Sequence, residues 1–293
     1  MYTIGNGDGG VVSLDIRRVG VLWNPRKSAG LPVARRVINI LEARGVAPYL
    51  DAGLAAAFKR PVAPSFADCD LLCVLGGDGT LLSALDVAIP NDIPMLGINL
   101  GRVGFLSEVE PDRLEEDFDL LFEGRTFMEN RMILEIEGES SERMFALNEI
   151  SVMRRGQSVG ILSLELTVNG MLVDRISGDG LIVASATGST AYSLSAGGPI
   201  VWPGLDCFVL TPVCPHTMSA RPFVAPASNR VTVKVLGDPS QTHAVLDGRR
   251  TLELSEDRSS VTIVKGVRKA RFVRLRERDY FGLLREKLSQ WTH

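Results

Sequence analysis

The segment Leu71-Leu72-Cys73-Val74-Leu75-Gly76-Gly77-Asp78-Gly79-Thr80 carries the sharpest chemical signal in the chain. An apolar run of strand length enters a glycine turn that opens a helix. That is where phosphate approaches backbone N–H groups and the positive end of a helix dipole. The glycines Gly76, Gly77 and Gly79 remove the β-carbons that would block the approach. A carboxylate in such a turn repels phosphate, so Asp78 makes sense as a proton acceptor or as the holder of a metal ion shared with phosphate. The structural alternative is a tight turn closed by an Asx hydrogen bond. Asn6-Gly7-Asp8-Gly9-Gly10 has a similar composition but no strand before it, and reads as part of a flexible tail.

Further polar segments fall where strands prefer apolar residues. Asn148-Glu149 closes the run Phe145-Ala146-Leu147, an amide and a carboxylate suited to an adenine edge and a hydroxyl. Gly178-Asp179-Gly180 repeats the glycine-flanked carboxylate, and Thr187-Gly188-Ser189-Thr190-Ala191-Tyr192-Ser193 packs hydroxyls and a glycine with one aromatic ring. A solvated turn is the bland reading of the first, and a glycine- and serine-rich loop is a weak signal singly. Thr211-Pro212-Val213-Cys214-Pro215-His216 reads as rigid structure, with His216 a hydrogen-bonded core residue. No Gly-Lys-Ser/Thr P-loop, no Gly-x-Gly-x-x-Gly after a strand and no protein-kinase set is present.

The elements around these residues follow from periodicity. Val19 to Trp23, Leu71 to Leu75 and Met95 to Ile98 read as buried strands, and Val33 to Arg44 and Thr80 to Ala88 as helices. Such alternation of apolar strands with helices predicts a parallel sheet covered on both faces. After about Gly124 the pattern becomes alternating and β-branched, with turns at Asn169-Gly170 and Gly237-Asp238, and the next long helix runs from Tyr280 to Leu288. The basic run Arg268 to Arg278 reads as a strand with a solvated face rather than a nucleic-acid arm.

Composition sets the outer limits. The chain has 293 residues, 45% hydrophobic and 23% charged, enough for one large domain or two ordinary ones. Its 32 basic and 35 acidic residues give a formal charge of −3, which leaves no global basic field for nucleic acid. Four cysteines (Cys69, Cys73, Cys207, Cys214) read as buried free thiols in a reducing compartment, not as a disulfide framework. Met1 to Gly10 is polar and does not read as a signal peptide. Between Gly180 and Ala220 Asp206 is the only formal charge, but Gly, Ser, Thr and Pro interrupt the stretch too often for a spanning helix. A buried interior or a subunit interface fits it better, in a cytoplasmic protein with no membrane partner.

Taken in this order, the residues resemble the ATP-NAD kinase family. The matching motifs are Gly76-Gly77-Asp78-Gly79-Thr80; Gly97-Ile98-Asn99 with Gly104-Phe105-Leu106; Asn148-Glu149; Gly178-Asp179-Gly180-Leu181; Thr187 to Ser195 with Gly197-Gly198-Pro199; and Leu210-Thr211-Pro212 through Ser219-Ala220-Arg221-Pro222. The closing Lys287-Leu288-Ser289-Gln290-Trp291 is also similar to the family's ending, so the likeness spans roughly Val19 to Trp291. The glycine-aspartate loop is shared with diacylglycerol and sphingosine kinases and phosphofructokinases. The block from Gly178 to Tyr192 is far more particular.

The resemblance implies phosphoryl transfer from ATP, or inorganic polyphosphate, to the 2′-hydroxyl of the adenosine ribose of NAD, giving NADP, with Mg²⁺ held mainly by the donor phosphates. It implies Asp78 as the proton acceptor, Gly79 beside the substrate and Phe105 packed against it, with Gly76, Gly77, Gly79 and Thr80 as the phosphate loop. Asn148 and Glu149 would meet the adenosine half, and Asp179, Thr190, Ala191, Tyr192 and Ser195 would line the NAD site. Two positions depart from the family pattern. Asp247-Gly248-Arg249 stands where relatives often continue Asp-Gly-Gln, so Arg249 either meets a phosphate or sits in an Asp-Gly hairpin. Ser177 is basic in some relatives, which leaves the preference between NAD and NADH open.

The implied fold is α/β plus β. An N-terminal Rossmann-like or flavodoxin-like parallel-sheet domain (18–125) follows an extension (1–17). A β-rich, sandwich-like domain (126–265) comes next, then a C-terminal strand and helix (266–293) packing back toward the N-terminal domain, with the active site between the domains. A homotetramer or homodimer is implied. The alternatives are a lipid kinase, which wants a Gly-Thr-x-Asn-Asp segment that the chain lacks, and a non-catalytic NAD sensor, which has no need of Asp78.

Overall fold

A computed structural model describes residues 14–25, 27, 30–101, 104–139, 144–156, 161–217, 219–277 and 279–290. The segment Asn6–Gly10 and the closing Trp291 lie outside the described residues. Two compact units divide the chain: Met1–Asn130 with Ala270–His293, and Arg131–Lys269. The breaks fall inside two strands, Phe127–Ile136 and Ser260–Arg274, a few residues beyond the positions 125 and 265 read from the sequence.

In the first unit β1 (Arg18–Trp23), β2 (Ala47–Leu50), β3 (Leu71–Gly76) and β4 (Met95–Asn99) form a parallel sheet in the order β2-β1-β3-β4. The end of the strand Ser260–Arg274 adds to its edge, with Phe272 opposite Met95. Every residue of β3 and β4 is buried, which explains apolar runs without alternation. Helices α1 (Gly30–Ala43), α2 (Ala52–Phe58), α3 (Asp78–Asn91) and α4 (Leu114–Phe122) connect or flank the strands. Val37, Leu41, Leu54, Leu75, Ile98 and Phe118 share the core. Both β2 and α2 escape the periodicity reading because they are short. The start of α2 is marked by Asp51, whose carboxylate accepts from the Leu54 N–H at 2.8 Å. The strand order changes direction between β1 and β3, and open α/β sheets take ligands at the carboxyl ends of the strands flanking such a point.

Arg274 departs from the solvated basic face expected of Arg268–Arg278. It is buried. Its Nε donates to Glu129 Oε2 at 2.6 Å, and its Nη1 donates to Glu108 Oε2 at 3.2 Å and to the Leu106 carbonyl at 2.8 Å. A guanidinium tolerates burial when carboxylates and a carbonyl replace its water. These partners come from segments far away in sequence, so alternation alone does not reveal them.

The second unit is built from β5 (Phe127–Ile136), β6 (Phe145–Ala146), β7 (Glu149–Arg154), β8 (Leu162–Val168), β9 (Met171–Gly178), β10 (Gly180–Ser185), β11 (Cys207–Val213), β12 (Phe223–Pro226), β13 (Val231–Leu236), β14 (Thr242–Leu246), β15 (Arg250–Glu253) and the first part of β16 (Ser260–Arg274). One antiparallel sheet has the order β12-β11-β10-β7-β14-β15, and β16, β13, β8 and β9 pair in sequence in the other. Inward residues of both, among them Leu134, Ile150, Leu164, Val183, Phe208 and Val233, fill one core. Alternating burial along β8, β13 and β14 matches the period of two in the sequence.

The charge-poor stretch 180–220 is explained largely by β10 and β11, buried at every residue. Two readings there need correction. Cys214 and His216 are exposed, because β11 ends at Val213 and Cys214 turns the chain outward at φ +45°. Cys69, Cys73 and Cys207 are buried free thiols. Among the described residues no helix is long and apolar enough to cross a membrane.

Candidate active site

In the first unit Gly77 stands in extended backbone before α3, and Asp78 is the first helical residue. The Asp78 carboxylate does not close an Asx turn on its own helix. It reaches a second loop instead, where Oδ2 accepts from the Phe105 N–H at 2.8 Å and Oδ1 from the Leu106 N–H at 3.0 Å. Gly104 passes so close that a β-carbon there would overlap Asp78 Oδ1. Each carboxylate oxygen has a second lone pair, so this anchoring leaves capacity to accept a proton. Arg274 holds the same loop from the other side through the Leu106 carbonyl. The Phe105 ring lies 6.4 Å from that of Tyr280, at the start of the C-terminal helix Tyr280–Gln290. Gly76 is buried at the end of β3, Gly79 is exposed, and Thr80 Oγ1 accepts from Asn24 Nδ2 at 3.4 Å.

In the second unit Asn148 and Glu149 sit at the entry to β7, and their backbone is clamped by Asp247. Asp247 Oδ2 accepts from the Leu147 N–H at 2.8 Å, and Oδ1 from the Asn148 and Glu149 N–H groups at 2.7 and 3.2 Å. Asp247 and Gly248, at φ +50° and +64°, make the hairpin between β14 and β15. Arg249 is exposed on that turn. The turn is therefore a hairpin whose aspartate also organises a distant segment. The helical turn Thr187–Thr190 packs on Asn148 so tightly that a β-carbon on Gly188 would overlap the Asn148 carbonyl.

The hydroxyls of the Thr187–Ser195 block divide by role. Ser193 Oγ bonds Thr211 Oγ1 at 2.8 Å inside the unit, and Ser189 Oγ donates to the Ala186 carbonyl at 2.7 Å. Thr190 and Ala191 are half-buried, Ser195 is exposed, and Tyr192 is 40% exposed. Burial raises the Tyr192 hydroxyl, and nearby Cys214, Asp179 and Glu149 raise it further, so these groups share one neighbourhood. The Asp179 carboxylate accepts from Arg154 Nη2 at 3.2 Å. Ser177 faces Ser163, Oγ to Oγ 3.3 Å. Neither Arg154 nor Tyr280 stands out in the sequence, since each acquires its neighbour only through folding.

Glu149 is 7% exposed. The Tyr192 backbone N–H donates to its carboxyl group, and its Oε2 is buried without a partner among the described residues. Burial, reinforced by the Asp247 carboxylate, pushes Glu149 up to about 8. Burial also raises Asp247, but its three amide donors favour the charged form there. Glu149 is thus the member that keeps a proton. The folded chain holds this proton at pH values where the unfolded chain, with an ordinary carboxyl near 4.5, has released it. The stabilising contribution is complete below that ordinary value and is lost as pH rises toward 8. Glu149→Gln has no such proton to lose, so its thermal stability gains on the parent between about pH 5 and 8. Parallel melting curves for the two proteins over that range would contradict the assignment.

The first unit thus offers a glycine loop with an anchored carboxylate. The second offers an amide, a protonated acid, a half-exposed ring and the hydroxyls of Thr190 and Ser195, a set suited to a nucleoside. Two family models match the chain: the ATP-NAD kinase N-terminal domain over residues 19–126 and the ATP-NAD kinase C-terminal domain over residues 147–275. It is 40% identical over 280 residues to the NAD kinase of Heliobacterium modesticaldum, covering 93% of this chain and 98% of that protein. It is 35% identical over 279 residues to the NAD kinase of Methanothermobacter thermautotrophicus, with 93% and 96% covered. Among solved structures, yeast NADH kinase complexed with NADH superposes with a TM-score of 0.83 at 26% identity, covering 94% of this chain and 88% of that one. The NAD kinase of Archaeoglobus fulgidus in complex with ATP superposes with a TM-score of 0.75 at 29% identity, covering 92% and 98%. By sequence along nearly its whole length, and by fold, the chain belongs to the ATP-NAD kinase family.

Proposed function

We propose that this chain phosphorylates the 2′-hydroxyl of the adenosine ribose of NAD, with ATP as donor and Asp78 as proton acceptor. The new bond joins the 2′-oxygen to the terminal phosphorus of ATP, the bond from that phosphorus to the bridging oxygen breaks, and ADP leaves. The hydroxyl proton passes to the Asp78 carboxylate and from there to water. Phosphoryl transfer runs through a loose transition state, so positioning and charge neutralisation outweigh deprotonation. A carboxylate is a weak base for an alcohol and takes the proton late, for a gain of roughly 10²–10⁴-fold.

The observation that carries this reading is the place of Asp78, at the head of the helix after a fully buried strand, with both oxygens fixed by amides. Gly76, Gly77, Gly79 and Thr80 shape the donor phosphate loop, and Phe105 packs against substrate. Asn148 and Glu149 take the adenosine ribose and base. Asp179, Thr190, Ala191, Tyr192 and Ser195 line the remainder of the dinucleotide site. Solved relatives bound to NADH and to ATP support both ligand assignments. Magnesium enters as part of the donor, held mainly by its phosphates. The protein acts in the cytoplasm as a homodimer or homotetramer, free of nucleic acid. The discriminating substrate is an NAD analogue whose adenosine ribose lacks the 2′-hydroxyl. It binds and accepts no phosphate under this reading; phosphorylation of the analogue would place the reaction at another hydroxyl.

A further inference from the structure

We propose that Lys27 binds the phosphates of the donor nucleotide at the carboxyl ends of β1 and β3. The inference rests on the NAD kinase reading for the identity of the donor. Its place comes from the fold, because the direction change between β1 and β3 marks the crevice where a parallel sheet receives a ligand. The loop after β1 carries Lys27, and the loop after β3 is the glycine turn. The two are tied together: the Asn24 N–H donates to the Leu75 carbonyl at 3.3 Å, and Asn24 Nδ2 to Thr80 Oγ1 at 3.4 Å.

The Lys27 backbone is fixed on both sides. Its N–H donates to the Asn24 carbonyl at 2.9 Å. Its own carbonyl accepts from the Gly30 N–H at 2.9 Å and from the Trp23 indole at 3.0 Å. From this base the side chain reaches the glycine turn. A β-carbon on Gly77 would lie 3.6 Å from Lys27 Nζ, and one on Gly101, in the loop after β4, 3.2 Å. The ammonium group therefore stands beside both glycines, at the glycine turn. Among the described residues it has no carboxylate partner, whereas Arg36, Arg60, Arg271 and Arg274 of the same unit all face carboxylates. A triphosphate brought next to Asp78 needs positive charge beside it, and a lysine ammonium is a compact phosphate binder.

The test compares wild type, Lys27→Met and Lys27→Arg in NADP formation, with direct calorimetric binding of MgATP as a second readout. Loss of one charge-assisted contact raises KM for ATP and Kd for MgATP by roughly 10- to 100-fold in Lys27→Met. KM for NAD and the melting temperature stay near the wild-type values, and Lys27→Arg recovers most of the ATP affinity. An unchanged MgATP Kd in Lys27→Met overturns the proposal, as does a loss confined to kcat or to NAD. If wild type makes no NADP yet Lys27→Met still weakens MgATP binding, the reaction assignment fails and the phosphate contact stands. Should Lys27→Met melt early, MgATP binding by Lys27→Arg decides, and an affinity no better than that of Lys27→Met counts against the proposal.

Discussion

Replacing Asp78 by Asn is expected to lower kcat by roughly 10²–10⁴-fold while the Kd for NAD changes only a few-fold. Two effects are superposed in that substitution, and the geometry separates them. Asn keeps one oxygen but puts an NH₂ group opposite an amide donor, so one of the bonds to Phe105 and Leu106 is lost. Leaving such a donor unpaired costs about 1–3 kcal/mol. The loop retains its hold through Arg274 and the Leu106 carbonyl, which limits how far Phe105 moves. A variant that binds NAD normally and turns over slowly has lost the proton acceptor. A variant whose NAD affinity collapses while kcat persists would show Asp78 to be a loop anchor instead.

The second large effect is expected at Asp247. Its carboxylate accepts three backbone N–H groups from Leu147, Asn148 and Glu149, and its own N–H donates to the Glu149 carbonyl at 3.0 Å. Asp247→Ala removes the acceptor oxygens of all three donors at a half-buried side chain. At about 1–3 kcal/mol for each unsatisfied donor, with partial relief by water, the loss is of the order of 3 kcal/mol. For a protein of this size that corresponds to a fall in melting temperature of roughly 5–15 °C. The same change loosens Asn148 and Glu149, and misplacement of a positioning residue by an ångström costs up to about 10²-fold. KM for NAD should therefore rise by at least tenfold in the fraction that stays folded. Differential scanning calorimetry with steady-state kinetics checks both, and a melting temperature within 2 °C of wild type with unchanged KM would refute the clamp.

Asp247 also shows where sequence reading stops. The Asp-Gly hairpin is legible because turn chemistry is local, but the amides it clamps lie about a hundred positions earlier. Lys27 is invisible for the same reason: only the parallel pairing of β1 with β3 brings its loop to the glycine turn. By contrast Asp78 announces itself, since an apolar strand, a glycine turn and a helix start are contiguous. His216 and Cys214 misled because their neighbours are apolar, whereas the chain leaves the sheet at Val213. Arg274 misled in the opposite sense, through partners on remote segments. Local pattern thus located the buried strands β1, β3 and β4, the helices α1 and α3 and the candidate loops. Clamps, ion pairs and the cation beside the glycine turn required the fold.

The most direct measurement is the appearance of NADP when the purified chain is given NAD with MgATP, read by an NADP-specific dehydrogenase, with polyphosphate tested in parallel. The account requires NADP to accumulate in step with ADP when ATP is the donor. Turnover of ATP without NADP, or no product from either donor despite tight NAD binding, would contradict it.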